Sequence, residues 1–167
     1  IPEAKNRDVL DSVSRIGKRF VAVLTTDAHE VMRVYGPRGG FKYQVKTPAI
    51  GSVSGFEPTT RAEEKKGFFT FSSFNYPRTH FRLNLETGKT RAHWRPKVPI
   101  DPSKFDVAQV FYPSKDGTKI PMFIVHKKGL KLDGTNPTYL YGYGGFGVSM
   151  TPGFSGANIA WLERGGV

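Results

Sequence analysis

The sequence contains no cysteine among its 167 residues. This absence excludes disulfide scaffolds, thiol nucleophiles, iron–sulfur clusters and zinc sites with thiolate ligands. The chain also lacks an uninterrupted apolar run near the roughly 18–20 residues that a membrane-spanning helix requires. We therefore expect no membrane partner, and no motif predicts a metal site.

Acidic residues are scarce relative to basic ones: 14 Asp and Glu stand against 25 Lys and Arg, which gives a formal net charge of +11. Nucleic-acid-binding proteins concentrate such charge in one footprint. Here the basic residues are scattered, and no zinc-finger spacing, basic helix or aromatic stripe accompanies them. The pattern favours a solvated surface and predicts no nucleic-acid partner, while a basic nucleic-acid binder stays open as an alternative whose affinity would fall steeply with salt.

Helix-forming segments are few, and short strands repeat instead. Residues 18–23 align with residues 66–71, and residues 32–39 align with residues 81–88. In both copies an apolar strand is followed by a polar break, an alternating strand and a glycine turn. A repeat of about 48 residues is typical of a four-stranded β-propeller blade, with a β-sandwich as the alternative. Two blades cannot close a ring, so we expect the chain to be incomplete on its N-terminal side.

The composition changes near residue 100. Three prolines in residues 95–102 predict an extended linker. After the linker the pattern predicts a hairpin, a short buried strand and a helix with Ser155 as its N-cap; these elements cover residues 107–112 with 119–126, residues 138–141, and residues 155–164.

The glycine motif at residues 142–147 has two interpretations. Its spacing matches a dinucleotide fingerprint, but that motif needs a helix directly after the glycines, and Pro152 prevents one from starting there. We therefore predict no cofactor. The second interpretation is an oxyanion-hole loop, because α/β-hydrolases place one between a buried strand and the first helix that covers the sheet. The Tyr143 hydroxyl is a candidate donor, although an ordinary strand tyrosine beside a glycine turn explains the pattern equally well.

Residues 111–123 (Phe-Tyr-Pro-Ser-Lys-Asp-Gly-Thr-Lys-Ile-Pro-Met-Phe) and 140–146 (Leu-Tyr-Gly-Tyr-Gly-Gly-Phe) resemble the prolyl oligopeptidase family of serine peptidases. A weaker resemblance extends over essentially the whole chain. The resemblance implies a seven-bladed β-propeller joined to an α/β-hydrolase domain, and cleavage of short peptides after proline. By this resemblance residues 1–105 are the last propeller blades. Residues 106–167 are the first strands, oxyanion-hole loop and first helix of the catalytic domain.

The resemblance also assigns roles to individual residues. Tyr143 falls on the tyrosine whose hydroxyl helps to form the oxyanion hole, and Phe146 falls on an aromatic residue of the proline-binding pocket. Gly147 departs from the family, because relatives often have Asn there. The chain contains no Gly-x-Ser-x-Gly nucleophile motif, and we expect the serine, aspartate and histidine of the triad to lie beyond Val167. The four histidines are interpreted as surface or packing residues: His29, His80, His93 and His126.

The leading hypothesis is therefore an internal fragment of a serine endopeptidase that acts on proline-containing oligopeptides and is inactive in isolation. Peptide macrocyclisation by acyl transfer to an amine is a second hypothesis, and a non-catalytic β-rich binding module is a third. The resemblance to the family implies a monomer at full length and a cytoplasmic location, with the periplasm as the alternative.

Overall fold

The computed structural model describes residues 8–56 and 63–167, which form two four-stranded antiparallel sheets, a β-hairpin and an α-helix. Within each sheet the strands lie in chain order, as in a meander. The first sheet consists of β1 (Val9–Ile16), β2 (Arg19–Thr26), β3 (His29–Tyr35) and β4 (Phe41–Gln44). The second consists of β5 (Ser52–Ser54), β6 (Lys66–Ser73), β7 (Tyr76–Asn84) and β8 (Thr90–Trp94).

This arrangement confirms the predicted repeat of four-stranded units. The two aligned apolar segments fall mainly on β2 and β6, which are the second strands of their sheets. Residues 1–7 and 57–62 belong to the region predicted as blades but lie outside the described residues.

The second sheet is amphipathic because buried and exposed residues alternate along β6 and β7. Phe69 lies opposite Phe81 across the two strands, and both side chains point to the buried face. Lys66 and Arg82 lie on the exposed face. This period of two commits one face of the sheet to the core and fixes the register of its strands.

The two sheets pack face to face through one apolar core. The rings of Phe69 and Phe81 are stacked with their centroids 5.3 Å apart, and Phe71 meets Phe81 edge-on at 6.4 Å. A Cβ atom at Gly67 would lie 2.8 Å from Ile16 Cδ1 and 2.9 Å from the Phe56 ring, so a larger residue there would displace these two side chains. The buried members of this core are Ile16, Val21, Val23, Met32, Val34, Val45, Val53, Phe69, Phe71, Phe81, Leu83 and Leu85.

Polar contacts also join the sheets around this core. The Glu30 amide donates to the Gly51 carbonyl at 3.0 Å, while the Glu30 carboxylate accepts a hydrogen bond from the Val53 amide. Farther out, the Tyr43 hydroxyl donates to the Leu85 carbonyl at 2.8 Å. Because these bonds require one alignment of the sheets, they add directional specificity to the apolar contact.

The C-terminal part begins with a linker and a hairpin, as the sequence predicts. A 3₁₀ helix (Pro102–Lys104) leads into β9 (Phe105–Pro113), which pairs with β10 (Lys119–Lys127) in antiparallel register. The hairpin rests on the turns of both sheets. Asn75, in the β6–β7 turn, donates to the carbonyls of Pro102 and Phe105 at 3.2 and 3.3 Å, and Gln109 donates to the Asp27 carbonyl in the β2–β3 turn.

The predicted helix is confirmed as α1 (Gly156–Glu163), which follows Ser155 as its N-cap. The Ser155 hydroxyl accepts from the Asn158 amide at 3.5 Å, which satisfies one free donor of the first turn. Ile159 and Leu162 bury their side chains against Phe105 and so attach the helix to the start of β9. The described residues include no helix of the length and hydrophobicity that a membrane span requires.

The predicted buried strand at residues 138–141 is wrong. The segment has no regular secondary structure, and Tyr139, Leu140 and Tyr141 are exposed. A strand needs hydrogen-bonded neighbours, whereas the backbone contact here is to the end of the chain: the Tyr139 amide donates to the Val167 carbonyl at 2.9 Å. The described residues after 105 contain one antiparallel strand pair and one helix, so the parallel sheet of an α/β-hydrolase is not formed within them.

The half-buried position of Glu30 predicts a pH-dependent stability. Burial raises the pKa of this carboxyl above its ordinary value of 4.5, and the hydrogen bond from the Val53 amide offsets the effect only in part. The folded state therefore binds this proton more tightly than the unfolded state, and the stabilisation is lost as the pH rises from 4.5 through the raised pKa. Glu30→Gln keeps an oxygen acceptor for Val53 but cannot titrate. We expect its Tm, relative to that of the wild type, to increase between pH 4.5 and about pH 7.

The matched control is Glu163→Gln on the exposed side of α1, which removes a carboxylate outside the contact between the sheets. A Tm difference between Glu30→Gln and wild type that is constant or falls over this pH range would contradict the assignment.

Candidate functional site

The site is built on the glycine loop, residues 142–150. Hydrogen bonds hold the segments that precede and follow this loop. Upstream, Tyr139 and Pro137 bond to the backbone of Val167 at 2.9 Å each. Downstream, the Ser52 hydroxyl donates to the Pro152 carbonyl at 2.7 Å, and the Phe154 amide donates to the Ser72 hydroxyl at 3.2 Å. The loop therefore spans two fixed points, one beside the C-terminal residue and one on the second sheet.

The centre of the loop is a tight turn. The Val148 amide donates to the Gly145 carbonyl at 3.0 Å, and the two residues between them, Phe146 and Gly147, have φ angles of +53° and +66°. Positive φ at both central positions is the signature of a type I′ turn. Phenylalanine is rare in this left-handed region, so the turn holds Phe146 in an unfavourable backbone conformation.

The turn projects the Phe146 ring into solvent, where 95% of the residue is exposed. Tyr143, which is 53% exposed, lies beside it with the ring centroids 6.5 Å apart. The structure thus brings the two sequence-predicted site residues together on one loop. A hydroxyl that can donate a hydrogen bond stands next to an apolar surface that is free to receive a ligand.

Apolar side chains flank this pair along the chain. The rings of Tyr139 and Tyr141 are stacked at 6.4 Å, and the exposed apolar residues on either side of the site are Tyr139, Leu140, Tyr141, Val148 and Met150. An apolar surface of this extent is typical of a region that contacts a ligand or another part of a protein.

The four histidines, interpreted from the sequence as surface or packing residues, all lie on strands. His80 packs on Trp94 with ring centroids 5.4 Å apart, and His93 packs on Phe68 at 5.2 Å. His29 opens β3 and His126 belongs to β10. Among residues 8–56 and 63–167 no group of histidine and acidic side chains has the arrangement to hold a metal ion.

Sequence reasoning missed two clusters that depend on strand register. Ser52 and Ser72 lie opposite each other on β5 and β6, and together they bind the segment that follows the glycine loop. Arg82 and Arg91 lie opposite each other on β7 and β8 and line an open basic groove on the second sheet. The residues of each pair lie on different strands and are of common types, so only the pairing of the strands identifies them.

In the comparison with known proteins, the family match covers the part of the chain that forms the two sheets. Residues 1–94 match the family described as "Prolyl oligopeptidase, N-terminal beta-propeller domain". The prolyl endopeptidase of Elizabethkingia meningoseptica is 43% identical over 153 residues, which are 90% of this chain and 21% of that protein. The dual function macrocyclase-peptidase of Galerina marginata is 35% identical over 99% of this chain and 23% of its own length.

Solved structures agree with the architecture. A structure from a study of two prolyl endopeptidases matches with a TM-score of 0.88 and 38% identity, over 99% of this chain and 24% of that one. Prolyl oligopeptidase B from Galerina marginata, bound to a 35mer hydrolysis and macrocyclization substrate, matches with a TM-score of 0.85 and 36% identity, over 98% and 23%. The chain thus spans about a fifth of the length of the relatives it matches. The sheets are those of the family's propeller domain, and the chain belongs to the prolyl oligopeptidase family.

Proposed function

We propose that this chain supplies the oxyanion donor and part of the substrate pocket of a prolyl oligopeptidase-type serine peptidase. In this proposal residues 1–105 are the last propeller blades, and residues 106–167 begin the α/β-hydrolase domain. The observation that carries the proposal is the glycine loop, which presents the Tyr143 hydroxyl and the Phe146 ring side by side. The prolyl endopeptidases among the relatives support the reaction class.

The proposed role of Tyr143 is to stabilise charge. When a serine oxygen bonds to the carbonyl carbon of the substrate, the carbonyl π electrons move to the carbonyl oxygen, which becomes an oxyanion. The Tyr143 O–H donates a hydrogen bond to this oxygen, and the bond is strongest in the transition state because the charge develops there. Collapse of the tetrahedral intermediate then returns the electron pair and expels the amine of the scissile peptide bond, which takes up the proton that the serine hydroxyl gave to the histidine base of the triad.

The proposed role of Phe146 is to bind proline. The pyrrolidine ring is apolar, lacks an N–H group and has a fixed φ, so a flat aromatic surface recognises it without the need for a hydrogen bond. Phe146 has the required free face, because nearly the whole residue is exposed. In this proposal, contact between the substrate proline ring and Phe146 aligns the carbonyl group of that proline with the Tyr143 hydroxyl.

The exposed segment at residues 138–141 fits this proposal. In a complete hydrolase domain the packed layers of that domain cover its exposed aromatic side chains. The same assignment accounts for the apolar strip that surrounds the site.

Macrocyclisation is the second candidate, because a macrocyclase-peptidase is similar over nearly the full chain. The two reactions share the acyl-enzyme intermediate and differ in the group that attacks it, which is water in hydrolysis and the peptide's own amine in cyclisation. Mass analysis of the products separates them, because a cyclic product is lighter by one water than the linear one.

We expect Tyr143→Phe to lower kcat for a proline-containing peptide by roughly 10²–10³ in the full-length protein, with little change in KM. The substitution removes one hydroxyl and leaves the ring, so folding is preserved. Steady-state kinetics with a short peptide that contains a single proline measures the effect.

The matched control is Tyr141→Phe, which removes a hydroxyl two residues away on another exposed tyrosine. Its kcat should stay at the wild-type value. An unchanged kcat in Tyr143→Phe would remove this residue from the mechanism, and turnover by the purified 167-residue chain would contradict the need for a triad outside it.

The turn geometry predicts which residues position 147 accepts. A Cβ atom at Gly147 would meet no other atom within 4 Å, so only the backbone conformation restricts the side chain. Asparagine tolerates positive φ, whereas valine is strongly disfavoured there. We expect Gly147→Asn to preserve protection of the Val148 amide against hydrogen exchange and Gly147→Val to reduce it. Equal protection in the two variants would contradict the assigned turn.

A further inference from the structure

The second sheet holds the segment that follows the glycine loop through two serines. Ser52 on β5 and Ser72 on β6 are direct partners in the antiparallel register. The Ser52 hydroxyl donates to the Pro152 carbonyl at 2.7 Å, and the Ser72 hydroxyl accepts from the Phe154 amide at 3.2 Å. The two hydroxyls thus bind the two backbone groups on either side of Gly153.

The contact lies in a partly buried environment. Pro152 is among the fully buried residues, and both serine bonds are partly buried. The Ser72 hydroxyl is itself oriented, because it donates to the Tyr76 carbonyl at 3.3 Å across the β6–β7 turn. Hydrogen bonds shielded from water are the ones that fix a backbone segment most firmly.

The glycine loop has little else to fix its position. Cβ atoms built at Gly142, Gly144 and Gly147 would meet no other atom within 4 Å. Phe146 and Tyr143 precede Pro152 by six and nine residues, and the other attachment of the loop consists of the bonds that Tyr139 and Pro137 make with the Val167 backbone. The position of the glycine loop relative to the second sheet therefore depends on the serine pair.

We propose that Ser52 and Ser72 are positioning residues through which the propeller sheet sets the placement of Tyr143 and the activity of the site. This inference rests on the proposed function and adds the residues that control it. The pair touches neither substrate nor reacting atoms, and it acts through the backbone at residues 152–154. The same contact connects the sheet to the loop, so a displacement of one relative to the other would change oxyanion stabilisation.

The test uses the full-length protein that carries this chain and compares wild type with the Ser52→Ala/Ser72→Ala double variant. We expect kcat for a proline peptide to fall by between about ten-fold and a hundred-fold, because small misplacements of a catalytic group have effects of this size. In a Tyr143→Phe background the same double change should lower kcat by less than about two-fold, because the residue through which it acts has already lost its hydroxyl. Ser52→Thr/Ser72→Thr keeps both hydroxyls and should restore most of the activity.

The matched control is Ser73→Ala. The Ser73 hydroxyl donates to the Ile50 carbonyl at 2.7 Å in the same part of the sheet, without contacting residues 152–154. It should lower the Tm but leave kcat near the wild-type value. If the double variant fails to fold, Ser52→Ala alone removes only the bond to Pro152 and serves in its place.

A second measurement does not depend on activity. Hydrogen exchange of the amides in residues 142–150 should accelerate in the serine double variant and stay unchanged in Ser73→Ala. Unchanged exchange in the double variant, an unchanged kcat, or an equal loss in the Tyr143→Phe background would each overturn the inference. Failure of the proposed function is distinguishable, because the wild-type full-length protein would then cleave no proline peptide.

Discussion

The contact on which the rest of the structure depends is the face-to-face packing of the two sheets. Phe69, Phe71 and Phe81 supply its aromatic rings from the second sheet, and the absence of a side chain at Gly67 leaves room for Ile16 of the first. Burial of a large aromatic ring contributes about 3–5 kcal/mol, as judged from truncation to alanine, so this core outweighs the surrounding hydrogen bonds of about 1 kcal/mol each. The sheet alignment that it fixes also places the turns at Asp27 and Asn75 where both meet the β9–β10 hairpin.

The packed pair of sheets determines the position of the candidate site. The sheets hold the hairpin at their turns, and Ser52 and Ser72 hold the backbone after the glycine loop. The loop itself contributes two side chains and a turn, which holds Phe146 in the left-handed backbone region. An exposed loop carried by a packed pair of sheets is a common arrangement for residues that bind or react with a ligand.

Much of the fold could be predicted from the sequence, because short segments of neighbouring residues carry the patterns that identify its strands, turns and helix. Periodicity and turn-forming residues within short segments identify several features. These are the repeat at residues 18–23 and 66–71, the hairpin after the proline-rich linker, and the Ser155 cap. The strand predicted at residues 138–141 failed because a strand depends on partners, and the pattern of Tyr139, Leu140 and Tyr141 says nothing of what lies beside it. The serine pair could not be predicted for a related reason, since no periodic signal identifies two serines on different strands.

The central claim is that one loop presents an oxyanion donor and a proline-binding surface together. The most direct test is a crystal structure of the full-length protein with a peptide aldehyde that ends in proline. We expect the Tyr143 hydroxyl to lie about 2.7–3.1 Å from the hemiacetal oxygen, with the proline ring in contact with Phe146. A Tyr143 hydroxyl beyond hydrogen-bond reach of that oxygen, or a proline ring bound away from Phe146, would contradict the account.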